Sequence, residues 1–205
     1  GGTSIGGDLA IPPEPRGLVI LAFASGGGRH RREQRELASS LNHDRLATLL
    51  VDLLSPAEEG VEATSSRSPE TSVLAKRIEG ILDWAHERSD IGDLPLGILS
   101  EASTGAAALT TAARRPDEVK ALVLRGGDLY EVEAELGKIS SPTLVLVGDQ
   151  AVEAAAKEAG AKIRGELRVE RLASRDPIGE EPGMPDSVAR ASSDWLGRHL
   201  AEHDA

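Results

Sequence analysis

Residues 96–109 read LGILSEASTGAAAL, and this stretch decides the fold prediction. Residues 96–99 are apolar and predict a buried strand, whereas residues 106–114 have the composition of a helix. The connection between them, residues 101–105, has Ser103 at its centre. A serine at the tip of a sharp strand-to-helix turn with small neighbours is typical of a nucleophile elbow. The alternative is that Ser103 simply caps the following helix.

The residues around Ser103 only partly fit the elbow motif. Ala102, Thr104 and Gly105 are small enough for the turn to close. Glu101 stands where the motif has its first glycine. We predict that Ser103 is a catalytic position and that Glu101 and Thr104 line a substrate site.

Further apolar runs alternate with helical patterns along the whole chain. Residues 68–88 carry apolar side chains on one face at helical spacing, and residues 188–196 do the same near the C-terminus. This alternation predicts one α/β domain over residues 1–205, with three layers, a mostly parallel sheet, helices on both faces and no cap domain. Residues 4–11 are expected to add an edge strand, and residues 55–68 to form a mobile surface loop. The other apolar runs are residues 17–24, 46–51, 121–124 and 142–147.

In an open α/β sheet the ligand lies beyond the carboxyl ends of the strands. The predicted strand ends are residues 24–28, Asp52, residues 101–105, residues 125–128 and Asp149. In the chain order serine, acid, histidine, Asp149 is placed to orient an imidazole, so we predict it as a second catalytic position. The alternative for Asp149 is an N-cap for a helix over residues 151–159.

The glycine-rich residues 25–28 precede a basic segment, residues 29–35, that contains four arginines and His30. Backbone N–H groups at a helix start can hold an anionic group, and an arginine beside them would strengthen that site. We therefore predict ligand contacts from the residues of this stretch. The alternative is a solvated helix face whose arginines pair with Glu33 and Glu36. The predicted ligand contacts are Phe23, Ala24, Ser25, Arg29 and His30.

Composition excludes several classes of partner. The net charge of −11 disfavours duplex nucleic acid, and one Phe, one Tyr and two Trp in 205 residues disfavour stacking on single strands. The chain has no Cys, which removes thiolate metal sites and cysteine nucleophiles. No apolar run is long enough to cross a membrane. We expect a soluble cytoplasmic protein with no cofactor and no metal, whose partner is a small molecule; its oligomeric state is not predicted.

Taken together, the pieces resemble the α/β-hydrolase superfamily, and within it the small dienelactone hydrolase-like branch. The resemblance implies a three-layer hydrolase fold with Ser103 as the nucleophile and Asp149 as the acid of a triad. It extends over most of the chain from residue 7 to residue 200. The matching stretches are residues 7–12 (GDLAIP), 16–19 (RGLV), 46–54 (LATLLVDLL), 102–109 (ASTGAAAL) and 141–144 (SPTL).

Three positions depart from the pattern of this branch. The strand that feeds the oxyanion hole usually ends in His-Gly, and here it ends in Phe23 and Ala24. Glu101 replaces a glycine of the elbow. Alignment of residues 180–183 (EEPG) puts Pro177 on the position of the catalytic histidine. A serine hydroxyl without a base is a weak nucleophile, so this resemblance implies a degenerate triad.

The predicted function follows from a hydrolase fold that is retained and a catalytic triad that is incomplete. We expect a small organic molecule to bind at the strand ends and to undergo non-hydrolytic chemistry, of the cyclisation, elimination or isomerisation type. One alternative is a non-catalytic binding or scaffold protein. Another is an active ester or lactone hydrolase whose base is not placed, with His30 as the candidate.

Overall fold

The computed structural model describes residues 4–24, 28–65, 69–126, 129–172 and 184–201. For residues 61–65, 102–103 and 184–186 it describes the backbone alone. Seven strands in this part of the chain form one sheet, in the order β1-β3-β2-β4-β5-β6-β7. All neighbouring strands are parallel except β1, which pairs antiparallel with β3 at one edge. The strands are β1 Gly7–Ala10, β2 Leu18–Phe23, β3 Ala47–Asp52, β4 Leu96–Glu101, β5 Val119–Arg125, β6 Thr143–Val147 and β7 Leu167–Arg171.

Helices connect these strands. A 3₁₀ turn at Gly28–His30 leads into the first of them, and a second 3₁₀ turn, Leu129–Val132, precedes the fifth. The helices are α1 Arg32–His43, α2 Pro56–Ser65, α3 Thr71–His86, α4 Ala102–Arg114, α5 Glu133–Leu136, α6 Gln150–Gly160 and α7 Met184–Ala201.

The sheet is covered on both faces, which makes three layers. Successive side chains of a strand point to opposite faces, and the buried residues divide accordingly. Leu18, Ile20 and Ala22 of β2 pack in a core with α3, α4 and α6. Val19, Leu21 and Phe23 pack in a second core with α1 and α7. Because the central strands are buried on both faces, they read as continuous apolar runs in the sequence.

The predicted architecture of an open, mostly parallel α/β sheet with an N-terminal edge strand is confirmed. The prediction of a loop over residues 55–68 was wrong, because residues 56–65 form α2. Ser55 and Glu58 make a capping box there: the Glu58 N–H donates to Ser55 Oγ at 3.4 Å, and the Ser55 N–H donates to Glu58 Oε2 at 2.8 Å. Ser55 Oγ also donates to Glu58 Oε2 at 2.8 Å. With a proline at its first position, this short sequence starts a helix despite its polar composition.

Strand β7 is an element that the sequence analysis did not predict. Its residues alternate between partly buried apolar and charged side chains, as expected for the edge of a sheet. Among the described residues, no helix combines the length and the apolar character that a membrane crossing requires.

Candidate functional site

Four adjacent strands end with side chains on the same face of the sheet. In the strand register, Phe23 of β2 lies opposite Asp52 of β3, and Glu101 of β4 lies opposite Arg125 of β5. Strands β2 and β4 are also neighbours, with Ala22 opposite Ser100. Because alternate residues share a face, these four side chains form one row along the carboxyl edge, on the side covered by α1 and α7. This is the edge where the sequence predicted a ligand site.

The centre of the row is a buried polar cluster of Glu101, Arg125 and Gln34. Arg125 Nη1 donates to Glu101 Oε1 over 3.3 Å and to Gln34 Oε1 over 3.2 Å. The Gln34 amide closes the triangle, since its Nε2 donates to the same Glu101 oxygen at 2.5 Å. Only 11% of the Glu101 side chain and 5% of the Arg125 side chain are exposed. Such charges are tolerated inside a protein because each is paired and hydrogen-bonded.

Glu101 is the last residue of β4 and the N-cap residue of α4. Its backbone is extended, with φ −91° and ψ 172°, which any residue can adopt. Its carboxylate makes no capping bond to the helix it precedes, because it points sideways to Gln34 on α1 and to Arg125. The side chain that replaces the elbow glycine therefore contributes to a closed internal cluster rather than to the start of α4.

Ser103 lies at a direct junction between a strand and a helix. Strand β4 ends at Glu101 and α4 begins at Ala102, so Ser103 is the second residue of that helix. Thr104 fixes the first turn of α4, because its Oγ1 donates to the Ala22 carbonyl oxygen at 2.9 Å. Thr104 is fully buried. Thr104 therefore has no exposed surface with which to make the predicted ligand contact. Its hydroxyl holds the turn in place instead.

Phe23 is also fully buried and belongs to the core beside α1 and α7. The 3₁₀ turn that follows β2 packs directly on it. A Cβ atom added to Gly28 would lie 2.4 Å from Phe23 Cβ, so this approach requires a glycine. Ala24 is 2% exposed. Phe23 and Ala24 are thus interior residues, and a ligand contact from either would require this turn to move.

Arg29 is held between two carboxylates. Its Nε donates to Asp52 Oδ2 at 2.8 Å, and its backbone N–H donates to the other oxygen of Asp52 at 3.0 Å. Arg29 Nη1 donates to Asp8 Oδ1 at 2.9 Å. The alternative interpretation of the basic segment had expected Glu33 and Glu36 as partners, and of these Glu36 pairs with Arg32. The positive charge of Arg29, which was predicted to attract an anionic ligand, is therefore already balanced by the carboxylates of Asp52 and Asp8.

A cavity of about 360 Å³ opens beside Arg29 at the ends of β2 and β3. His30 contributes an exposed imidazole to it. Arg35 Nη2 lies 3.4 Å from His30 Nδ1. The lining residues are Ser4, Ile5, Gly6, Arg29, His30, Asp52, Leu54, Pro56 and Glu59.

Asp149 follows β6 and caps α6. Its Oδ1 accepts a hydrogen bond from the Val152 N–H at 2.9 Å, and the residue is exposed. This is the capping alternative raised by the sequence. The role of Asp149 as the acid of a triad stays a prediction, as does that of Ser103 as a nucleophile. Ser25 and Pro177, on which two further predictions rest, lie outside the described residues.

Sequence reasoning assigned no role to three residues that organise this edge, namely Gln34, Arg125 and Asp8, although it placed Arg125 at a predicted strand end. A signal for one of them was present, because Glu101 and Arg125 carry opposite charges at the ends of two consecutive apolar runs. Such residues meet if the two strands are neighbours and in register. Nothing in the sequence marked Gln34, which looks like any polar residue of an amphipathic helix.

The fold and the strand-end site define an α/β-hydrolase fold protein. No protein-family model matches the chain. A dienelactone hydrolase structure from Anabaena variabilis is 34% identical, covers 96% of this chain and 92% of its own, and superposes with a TM-score of 0.86. The Est1E protein of Butyrivibrio proteoclasticus shares the fold at 16% identity, with 96% and 95% coverage and a TM-score of 0.73. The chain belongs to the dienelactone hydrolase family.

Curated relatives add a second likeness. Proteins from two strains of Mycobacterium tuberculosis, named as candidate phosphoribosyl transferases, are 36% identical over 203 residues. The match covers 98% of this chain but 45% of each relative. The chain therefore spans about half the length of the curated relatives it matches, and their name describes proteins about twice as long.

Proposed function

We propose that this chain binds a small organic molecule at the carboxyl edge of its sheet and does not hydrolyse esters through a serine triad. The observation that carries the proposal is the buried cluster of Glu101, Gln34 and Arg125. A carboxylate stands where family resemblance implies a glycine, and its partners, the Arg125 guanidinium and the Gln34 amide, are buried with it. The Phe23 ring, at the position where resemblance implies a histidine, is covered as well.

The cavity beside Arg29 and His30 is the proposed binding site. Its volume of about 360 Å³ falls within the range of about 300–1,000 Å³ that is usual for small-molecule sites. Arg29 is neutralised by Asp52 and Asp8, so an anionic group would have to compete with both carboxylates. We therefore propose an uncharged polar ligand of the size of a lactone or a small ester.

The chemistry proposed for this site needs shape and a single proton donor or acceptor. His30 is the residue that suits this role, because its exposed imidazole lines the cavity and an imidazole can donate or accept a proton. A cyclisation, elimination or isomerisation can proceed with one such group. Hydrolysis by Ser103 would in addition need a base within hydrogen-bond reach of its hydroxyl.

A second candidate, an active serine hydrolase, is favoured by the direct junction of β4 and α4 at Ser103 and by membership of the family. A fluorophosphonate probe and p-nitrophenyl acetate separate the two candidates. We expect no labelling and no turnover above that of the Ser103→Ala variant. Labelling or turnover that disappears in Ser103→Ala would establish the hydrolase candidate instead.

Ligand binding is tested separately by a thermal-shift panel followed by calorimetry. The panel holds lactones and small esters and, because of the name of the curated relatives, phosphoribosyl compounds. We expect an uncharged member to bind and His30→Ala to weaken that binding at least tenfold. His43→Ala is the matched control, since His43 is exposed at the far end of α1. Binding that is equal in both variants would remove His30 from the site.

A further inference from the structure

The largest volume described at the β1 edge of the sheet is a groove between β1, β3 and α3. It measures about 690 Å³ and is distinct from the strand-end cavity. The two spaces are neighbours, because Ile5 and Gly6 line both of them. The groove is lined by Ile5, Gly6, Gly7, Leu9, Leu49, Val51, Arg77, Gly80, Ile81, Trp84 and Arg88.

The floor of the groove is apolar and follows from the strand register. Leu9 of β1 lies opposite Leu49 of β3, and Gly7 lies opposite Val51. Leu49 and Val51 are buried and belong to the core beside α3, whereas Leu9 is only partly buried. Leu9 is thus the partly exposed aliphatic side chain of the floor, and the buried Leu49 and Val51 lie beside it.

One stripe of α3 forms the wall. Residues 77, 80, 81 and 84 lie on one side of α3, and Arg88 follows just beyond the end of the helix. Trp84 is 40% exposed and stands in this stripe. A half-exposed indole beside an aliphatic floor is suited to stacking against a flat ring.

The two arginines of the wall carry charges that are already offset. Arg77 binds both carboxylate oxygens of Glu58, at 2.9 and 2.7 Å. Arg88 binds both oxygens of Asp90, at 2.9 and 2.6 Å, and its guanidinium lies 5.0 Å from the centre of the Trp84 ring. The groove therefore attracts neither anions nor cations through an unpaired charge.

Gly80 keeps the wall of the groove open. It lies in the middle of α3, where a glycine lowers helix stability relative to alanine. A Cβ atom built on Gly80 meets no atom within 4 Å, so neither packing nor close backbone approach requires a glycine there. Gly80 therefore leaves open space in the wall of the groove.

We propose that this groove is a binding site for an uncharged, flat, mainly apolar organic molecule that stacks on Trp84. Volume, apolar floor, exposed indole and offset charges all fit that class of ligand. The proposal is independent of the strand-end site, since it depends on a different face of β3 and on none of the residues at the end of β4.

The test uses N-phenyl-1-naphthylamine, an uncharged aromatic probe whose fluorescence rises in apolar surroundings. We expect saturable binding together with quenching of Trp84, whose emission is separable from that of the buried Trp195 by a Trp195→Phe variant. Gly80→Leu fills the groove and should weaken probe binding at least tenfold. Gly80→Ala is the matched control, because it also improves the helix but adds a single methyl group, and it should change binding less than threefold.

Two further measurements make the test decisive. His30→Ala should leave probe binding unchanged, because His30 lines the strand-end cavity and not the groove. If His30→Ala abolished probe binding, the probe would be bound in the strand-end cavity and the proposal would be overturned. Equal binding to wild type and Gly80→Leu would overturn it too. Sedimentation velocity should show the same species for wild type and Gly80→Leu; a wild-type dimer that Gly80→Leu dissociates would make a second copy of the chain the occupant instead.

Discussion

Arg125 Nη1 lies 3.3 Å from Glu101 Oε1, and both side chains are almost completely buried at the ends of neighbouring strands. The two residues are paired in the register of β4 and β5, so this contact is set by the sheet itself. Gln34 holds both from α1. Ligands of open α/β sheets bind at the carboxyl edge of the sheet. An ion pair between two strand ends at that edge therefore belongs to the structure that supports the site.

Glu101→Gln should destabilise the protein strongly. The substitution keeps the shape of the side chain but removes the carboxylate that pairs with the buried Arg125 cation. Removal of one partner from a buried ion pair typically costs about 3–5 kcal/mol, and we expect a loss near the lower end, about 3 kcal/mol. The free energy of unfolding in urea measures the loss.

The double variant Glu101→Leu/Arg125→Met supplies the control for this pair. It replaces both charges with apolar side chains of similar length, so no unpaired charge remains inside. We expect it to be more stable than the sum of the two single substitutions implies, because residues in direct contact are energetically coupled. Simple additivity would mean that the two charges do not interact.

Arg29→Ala should destabilise the protein by about 1–3 kcal/mol, which is the usual cost of leaving a buried polar group without its partner. The reason is Asp52, whose side chain is only 9% exposed and would lose the Arg29 guanidinium, keeping only the hydrogen bond from the backbone N–H of residue 29. Arg32→Ala is the control, because that side chain is 86% exposed and pairs with Glu36 on the surface. Its effect should stay within about 0.5 kcal/mol. Comparable losses in the two variants would show that the contact to Asp52 adds nothing.

Glu58 should make stability depend on pH. The hydrogen bond from Arg77, followed by that from the Ser55 N–H, lowers the pKa of the Glu58 carboxyl from 4.5 to about 2. A lowered pKa in the folded state stabilises the fold above the unfolded pKa, and this contribution is lost as the pH falls towards about 2. Glu58→Gln should therefore be less stable than wild type at pH 7, and the difference should narrow below about pH 4.5.

Urea unfolding at several pH values between 7 and 3 measures this change. The effect is moderate, because a third of the Glu58 side chain is exposed and water screens the pair. Glu36→Gln serves as the control, since Glu36 pairs with Arg32 at the surface and should show almost no difference at any pH. If the difference in the free energy of unfolding between wild type and Glu58→Gln stayed constant down to pH 3, it would contradict the lowered pKa of Glu58.

Much of the fold was predictable because buried parallel strands leave long apolar runs in the sequence. The runs at residues 17–24 and 96–99 became β2 and β4 with small changes at their ends. Strand β7 was missed because an edge strand alternates with charged residues and has no such run. Helix α2 was missed because its start depends on a local capping box, which the polar composition of residues 55–68 concealed.

The site was predictable in position but not in its contacts. The strand ends were found from the apolar runs, yet the sequence could not show that Glu101 and Arg125 share one face, because that depends on strand register. It also could not show that Asp8 reaches Arg29, since β1 pairs with a strand about forty residues away in the chain. Contacts between distant segments are set by tertiary packing rather than by local pattern.

Substitutions of Asp149 distinguish a helix-capping role from a catalytic role. Its carboxylate accepts the Val152 N–H at 2.9 Å, so Asp149→Ala should cost about 1 kcal/mol of stability. Asp149→Asn should cost only a few tenths, because asparagine is as good an N-cap as aspartate. Gln150→Ala is the neighbouring control, at an exposed position in the first turn of α6. Equal losses in the Ala and Asn variants would contradict the capping role. An ester hydrolysis by wild type that both variants abolish would instead assign Asp149 as the acid that orients a base for Ser103.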